Sequence, residues 1–507
     1  MIETIQQAVK PHDKYQVEVK LDYELLKARQ TRYEVSTYIF IPRSLGINKA
    51  TYAKADFYRD VQNYIRLKTP AFILRDFTEN PTSPLLAIER LVSTANWAGN
   101  PKYKEHLINN FKFLSAMLKS SFREHFNLID QRIAEAANPT KVHLLIHNLI
   151  EEFLVESRKI TNKFRSFYST FNLPNVDPQL YRAYQFTDES LSLLVEENAT
   201  ELFQIVETYL KKIDRDGFKH QLCELAKNET RHRRYHNYSS ILKPGEENEA
   251  YPFRVSVLKK FSSSVLYLST AVRREGVELE HFLYAIAAGI SMIFATVVAF
   301  YFQYYYGNFT FPFFIALVVG YMFKDRIKEL GRAIFATYLQ NNLYDRRIVI
   351  RTQDGKHKLG ILKEKASFVR EADLPKKIRR ARNRDEFSDL DNDGQGEDII
   401  CHSKEITLYT NAFKGIFGDV PEITGINDII RYDIRAYLRK MDEPVEVKNS
   451  LQNGHLQPVT CQRVYHLNLV SRYSAPHPEK VKLYRRVRLV LNRDGIKRVE
   501  HIPIQLL

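Results

Sequence analysis

The residues best suited to chemistry cluster in "HQLCELAKNETRHRRYHNY", His220–Tyr238. His220 and Cys223 stand one helical turn apart, and His232 and His236 form a second such pair. Imidazole and thiolate are zinc ligands, although this spacing follows no established zinc pattern. Arg231, Arg233 and Arg234 lie between the pairs. Their charge repels a cation and attracts a phosphate, so a metal, an anion and an ordinary solvated helix compete for the same segment.

Three further clusters offer chemistry. His143, His147 and Glu151 fall on one face of a helical pattern, a ladder that a metal could use and that the polar stripe of an amphipathic helix explains equally. Asp389, Asp391, Asp393 and Gly394 match the opening of a calcium loop. Ile400 stands where that loop needs a bidentate glutamate, so a solvated acidic loop is the leading expectation. The run Lys376, Lys377, Arg379, Arg380, Arg382 and Arg384 could hold an anion or lipid headgroup, but the acidic stretch after it can neutralise it within the chain. Lys482, Arg486 and Arg488 share one face of a strand pattern without the aromatic stacking set of a nucleic-acid binder. Nucleic acid as a partner thus has no motif behind it.

The phosphate-binding G-x-x-x-x-G-K-[ST] and G-x-G-x-x-G, the metalloprotease H-E-x-x-H and the nucleophile elbow G-x-S-x-G are all missing. Cys401 and His402 are chain neighbours, which is the wrong geometry for a nucleophile and its base. The reading leans away from an enzyme, and no cofactor is named by any motif. Net charge +15 favours an anionic partner. Three cysteines, odd in number and far apart, argue against a disulfide framework.

The elements that would position these residues fall into a membrane part and two soluble parts. Mean hydropathy of −0.36 and 27% charged residues exclude a polytopic membrane protein. Phe282–Phe302 nevertheless runs without a charge for about 31 Å of helix, the thickness of a hydrocarbon core. Phe309–Phe323 is shorter and contains Pro312. It reaches a spanning length only with the interfacial Tyr304–Tyr306 cluster. Gly307-Asn308 marks the turn between the two. Lys324, Arg326, Lys328 and Arg332 follow, and positive flanks mark the cytoplasmic side. The N-terminus "MIETIQQAVKPHDKYQVEVK" carries no secretory h-region.

The sequence therefore predicts a membrane-anchored multidomain protein. A mostly α-helical N-terminal cytoplasmic domain comprises residues 1–100 (a small β element plus helix and loop) and the helical 101–280. A two-helix transmembrane hairpin (281–323) and a helical stalk (324–345) follow. An α+β or β-rich C-terminal cytoplasmic domain covers 346–507, with a charged loop at 371–398. In the first strand pattern Tyr15, Val17, Val19, Leu21 and Tyr23 alternate; in the second, Tyr33, Val35, Thr37, Ile39 and Ile41. "INDIIRYDIRAYLRKM" reads as an amphipathic helix. The expected role is a scaffold, sensor or adaptor at the membrane, meeting anionic lipid, an acidic protein or a second copy of the chain. The alternatives are a membrane-bound enzyme acting on a phosphate-bearing substrate and a subunit of an oligomeric channel.

Overall fold

The computed structural model describes residues 5–94, 97–135, 139–209, 212–308, 310–382, 396–416, 421–452, 454–475 and 482–504. The chain forms two compact units. The first comprises residues 1–65, 269–410 and 428–507; the second comprises 66–268 and 411–427.

The first unit is built on strands, two of which, Val61–Leu67 and Gly425–Asp433, run past its boundaries at residues 65 and 428. They are β1 (Ile5–Pro11), β2 (Gln16–Glu24), β3 (Gln30–Pro42), β4 (Val61–Leu67), β5 (Ser269–Arg274), β6 (Arg346–Arg351) and β7 (Lys358–Val369). There follow β8 (Glu397–Tyr409), β9 (Gly425–Asp433), β10 (Val445–Gln452), β11 (His455–Gln462), β12 (Tyr465–Ser474), β13 (Lys482–Asn492) and β14 (Gly495–Ile502). An eight-stranded sheet has the order β14-β13-β12-β3-β8-β7-β6-β5, a four-stranded sheet the order β1-β2-β9-β4, and β10-β11 form a separate ribbon. The strand near the N-terminus is central: β3 pairs antiparallel with β8 on one side and β12 on the other. Dividing the chain at residues 100 and 346 therefore separates strands that one sheet joins.

Alternation sorts the faces of β8. His402 and Lys404 meet Tyr432 and Asp428 of β9, so the two sheets pack face to face. Ile399 and Cys401 point the other way, onto a cluster with Tyr38, Phe40, Val470 and Ile378. Ile378 belongs to a short helix, Lys376–Arg382. With both faces covered, the last eight residues of β3 are all buried. The segment expected as a helix from Ile426 is instead strand β9, ending in one short helical turn at Arg435–Leu438. Within the expected charged loop Lys376–Arg382 is helical, and β8 begins at Glu397. Arg384, Asp389, Asp391 and Asp393 lie outside the described residues.

The helices, in chain order, are α1 (Lys54–Asp60), α2 (Asp76–Glu79), α3 (Pro84–Val92), α4 (Pro101–Glu135), α5 (Pro139–Arg165), α6 (Tyr168–Phe171), α7 (Pro178–Tyr209), α8 (Lys212–Tyr235) and α9 (Ala250–Ser263). The last four are α10 (Val277–Tyr306), α11 (Phe311–Asn342), α12 (Lys376–Arg382) and α13 (Arg435–Leu438). The helical second unit is made by α2–α9, and α7 is its central element. Seven consecutive residues of α7, Thr187–Leu193, are buried, so no side of that turn meets solvent. An all-round buried helix is normally apolar. Here the turn carries Asp188 and Glu189, and each has a guanidinium partner.

The N-terminal part is thus largely helical and the C-terminal part rich in β-strands. Among the described residues α10 is the one helix long and apolar enough to cross a membrane. The apolar half of α11 stops at Phe323, after which Lys324, Asp325, Arg326 and Lys328 crowd one turn. The second crossing expected from Phe309–Phe323 is therefore not established. The two helices do lie side by side: a Cβ added to Gly331 would come within 3.0 Å of the Ala287 Cβ, and one on Gly320 within 3.4 Å of Val298.

Candidate functional site

The end of α8 makes the site. Asn237 adopts a left-handed conformation (φ 56°) directly after the helix. The Tyr238 amide then donates to the Arg233 carbonyl at 2.9 Å and the Asn237 amide to the Arg234 carbonyl at 3.1 Å. This paired closure turns the chain back along its own helix, and asparagine tolerates the left-handed region better than most residues. The reversal aims the Tyr238 hydroxyl back into the bundle, at Asp188 on α7.

Asp188 is the hub. Its Oδ2 accepts from His232 Nε2 at 2.7 Å and from the Tyr238 hydroxyl at 3.0 Å, while Oδ1 accepts from Arg165 Nε at 3.2 Å. Arg165 forks onto Glu229 with bonds of 3.1 and 2.5 Å. His236 completes the group: its ring centroid is 4.5 Å from that of His232, and it stacks on Tyr238. One ligand atom from each of Asp188, His232 and His236 fits within a 4.8 Å set.

Electrostatics sets what the site can hold. Burial alone would push the Asp188 carboxyl up, but the His232 bond, the Arg165 charge and the Tyr238 bond together bring it below the usual range. Burial lowers His236, and the neighbouring His232 lowers it further, so His236 keeps a free lone pair at neutral pH. Burial and the Asp188 charge raise Tyr238, so its proton stays on the phenol. Arg165 is shared between Asp188 and Glu229, so the three together carry one net negative charge. That single negative charge suits either a proton on one histidine or a divalent cation held by two imidazoles and a carboxylate. With Nε2–H engaged by Asp188, the other nitrogen of His232 carries the lone pair that a general base would need.

The sequence-selected residues divide accordingly. His232 and His236 come together; His220 and Cys223 lie exposed on α8 and join no ligand cluster among the described residues. Arg233 is buried, paired with Glu196 and bonded to Ser192 Oγ at 2.9 Å and the Ser240 carbonyl at 3.1 Å, so it clamps helices rather than facing an outside anion. Arg231 bonds Asn228 at 3.0 Å and is exposed, as is Arg234. His147 packs edge-on against Phe218 with Nδ1 unpartnered, while His143 is placed on α5. Of the basic run, Lys376, Lys377 and Arg380 are exposed and Arg379 donates to the Glu371 carbonyl. Arg382 is buried in a forked pair with Glu397. Asp188, Arg165, Glu229 and Tyr238 carry no motif. Their one sequence signal is the pair "DE" inside the apolar pattern of α7.

No family model, no curated protein and no solved structure matches this chain.

Proposed function

We propose that this protein is a membrane-anchored scaffold or adaptor, with α10 and α11 forming a two-pass hairpin and both folded units on the cytoplasmic side. The observation that supports this reading is the exposure of α10. Along its most apolar stretch only 11% of residues are buried, and Phe282, Ile293 and Phe300 are each more than 60% exposed. An exposed apolar surface of that length is stable in hydrocarbon and a liability in water. The apolar half of α11 spans about 20 Å, so its crossing relies on tilt and on the aromatic belt Tyr304–Tyr306. The cations from Lys324 onward favour the cytoplasmic orientation. Net charge +15 and the exposed Lys376 and Lys377 favour anionic lipid or an acidic protein as the partner. After alkaline carbonate extraction the protein should stay in the membrane pellet; release into the supernatant refutes the anchor. Protease added outside intact cells should cut neither folded unit, and cleavage of either refutes the topology.

A second reading draws on the Asp188–His232–His236 group: a membrane-bound enzyme that uses His232 as a base, or a divalent cation held by the three, on a phosphate-bearing substrate. Titrating the purified protein with zinc or manganese ions tests the cation. Saturable binding abolished by His236→Ala supports it, and binding unchanged by that substitution refutes it.

A further inference from the structure

Three helices of the second unit turn one face each toward a common gap. On α4 the positions are Ser115, Lys119 and Arg123; on α7, Ser190, Leu193, Leu194 and Glu197; on α9, Leu258, Lys259 and Ser262. Each set follows helical spacing, so these are the stripes that would close a bundle core. Bundle cores are packed by leucine-like side chains to crystal density. Here serines and long cations take several of those places, and a cavity of about 490 Å³ remains. That volume lies within the range of small-molecule sites.

The lining is divided by polarity and depth. Leu193, Leu258, Leu266 and Phe126 are buried and apolar. Lys119, Lys259 and Arg123 are exposed. Two polar atoms in the wall are sealed from solvent without a partner: the Ser115 hydroxyl, on a residue 1% exposed, and Arg66 Nε. The other wall serines are satisfied, Ser190 by the Phe186 carbonyl and Ser262 by the Leu258 carbonyl. Unpartnered buried polar atoms are costly, and a lone donor facing a cavity asks for an acceptor from a ligand.

Charge points to the sign of that acceptor. Among the described residues none of Arg66, Lys119 and Lys259 has a carboxylate within ion-pair distance. Partial desolvation at the rim lowers Lys119, and Lys259, Arg123 and Arg66 lower it further against Glu197, which with Asp130 and Glu201 makes up the exposed acids of the wall. An anion placed among these groups would relieve their mutual repulsion.

We propose that this cavity binds an anionic amphiphile, its apolar body against Leu193, Leu258 and Leu266 and its phosphate or carboxylate held by Lys119, Lys259, Arg66 and the Ser115 hydroxyl. The site is independent of the Asp188 group and does not rest on the membrane anchor.

The test uses the purified full chain and four probes: hexyl phosphate, hexanoate, hexanol and inorganic phosphate. Hexyl phosphate or hexanoate should bind at least about tenfold more tightly than hexanol and inorganic phosphate, since both halves of the ligand are needed. The stronger of the two anions tells a phosphate ligand from a carboxylate one. Lys119→Met with Lys259→Met should weaken the anionic amphiphile by about tenfold or more. Both lysines are exposed, so folding should survive, and unchanged circular dichroism checks this. Leu193→Trp should fill the apolar part and block hexyl phosphate, and Ser115→Ala should weaken it. Equal affinity for inorganic phosphate, equal affinity for hexanol, no binding of any probe, or binding indifferent to these substitutions would overturn the assignment.

Discussion

Acid should destabilise the β-rich unit through one histidine. His402 sits on β8 facing β9, is fully buried, and lies edge-on to Phe57 with centroids 5.2 Å apart. Nδ1 bonds the Tyr432 hydroxyl at 3.0 Å, and Nε2 has no partner. Burial pushes its pKa from 6.5 down to about 4; Lys404 adds to this, while Glu364 and Asp345 pull the other way. The folded state therefore refuses a proton that the unfolded chain accepts below about pH 6.5. Stability is complete above that pH and falls as the pH drops toward about 4. At roughly 1.4 kcal/mol per pH unit, the loss attributable to His402 reaches about 3 kcal/mol at the bottom of the window. His402→Gln keeps a polar group for Tyr432 and cannot titrate. Hydrogen exchange of peptides from β8 and β9, corrected for intrinsic rates, reports the opening free energy of this unit alone. The wild type should lose about 3 kcal/mol more than His402→Gln between about pH 7 and about pH 4. Equal slopes, or a histidine resonance for His402 titrating near about 6.5, would refute the argument.

In the helical unit, Arg165→Met should cost about 3–5 kcal/mol, because it strands two buried carboxylates, Asp188 and Glu229. Urea unfolding followed by the single tryptophan, Trp97, measures this, and Arg165→Lys should restore only part, since an ammonium cannot fork onto Glu229 while reaching Asp188. Glu397→Gln should destabilise the α12 layer by a similar amount, leaving the Arg382 guanidinium buried without its counter-charge, and exchange of residues 376–382 should rise selectively. Gly331→Leu should drive α10 and α11 apart at Ala287 and lower the melting temperature in detergent, whereas Gly289→Leu, which meets nothing within 4 Å, should not.

The sequence showed strands where one face or a tight turn leaves a local trace. Alternation located β2 and β3, and the turn residues Asp354-Gly355 and Asn492–Gly495 join β6 to β7 and β13 to β14, with Gly355 at φ 73°. It failed at β9 for a physical reason. Ile426, Ile429 and Ile430 fall at helical spacing, but β9 is covered on both faces and buries six consecutive residues. A strand buried on both sides loses its period of two, and what remains cannot be told from a helix. The pairing of β3 with β8 and β12 joins residues hundreds of positions apart, for which no local pattern exists. The same holds for the site. His232 and His236 were visible as a pair on one turn, whereas Asp188, which gives them a role, is 44 residues away and was visible only as an acid in an apolar helix.

Two buried aspartates, one in each unit, differ in their access to solvent. Asp188 receives three donors and is held below the ordinary carboxylate range. Asp428 receives one strong contact, from Lys404 at 2.6 Å, while burial drives it up and Glu364 repels it. Lys404 also lies 3.4 Å from Glu364, so one ammonium serves two carboxylates in a dry core, and Asp428 Oδ1 is left without a partner. A proton on Asp428 relieves that imbalance from within, and the group needs nothing from outside. Around Asp188 one guanidinium likewise serves two carboxylates, but His232 and His236 at its rim are half-buried and so within reach of solvent. That rim can take up a proton from solvent, which the core around Asp428 cannot. A closed network of this kind holds two sheets together, and an open one can be switched.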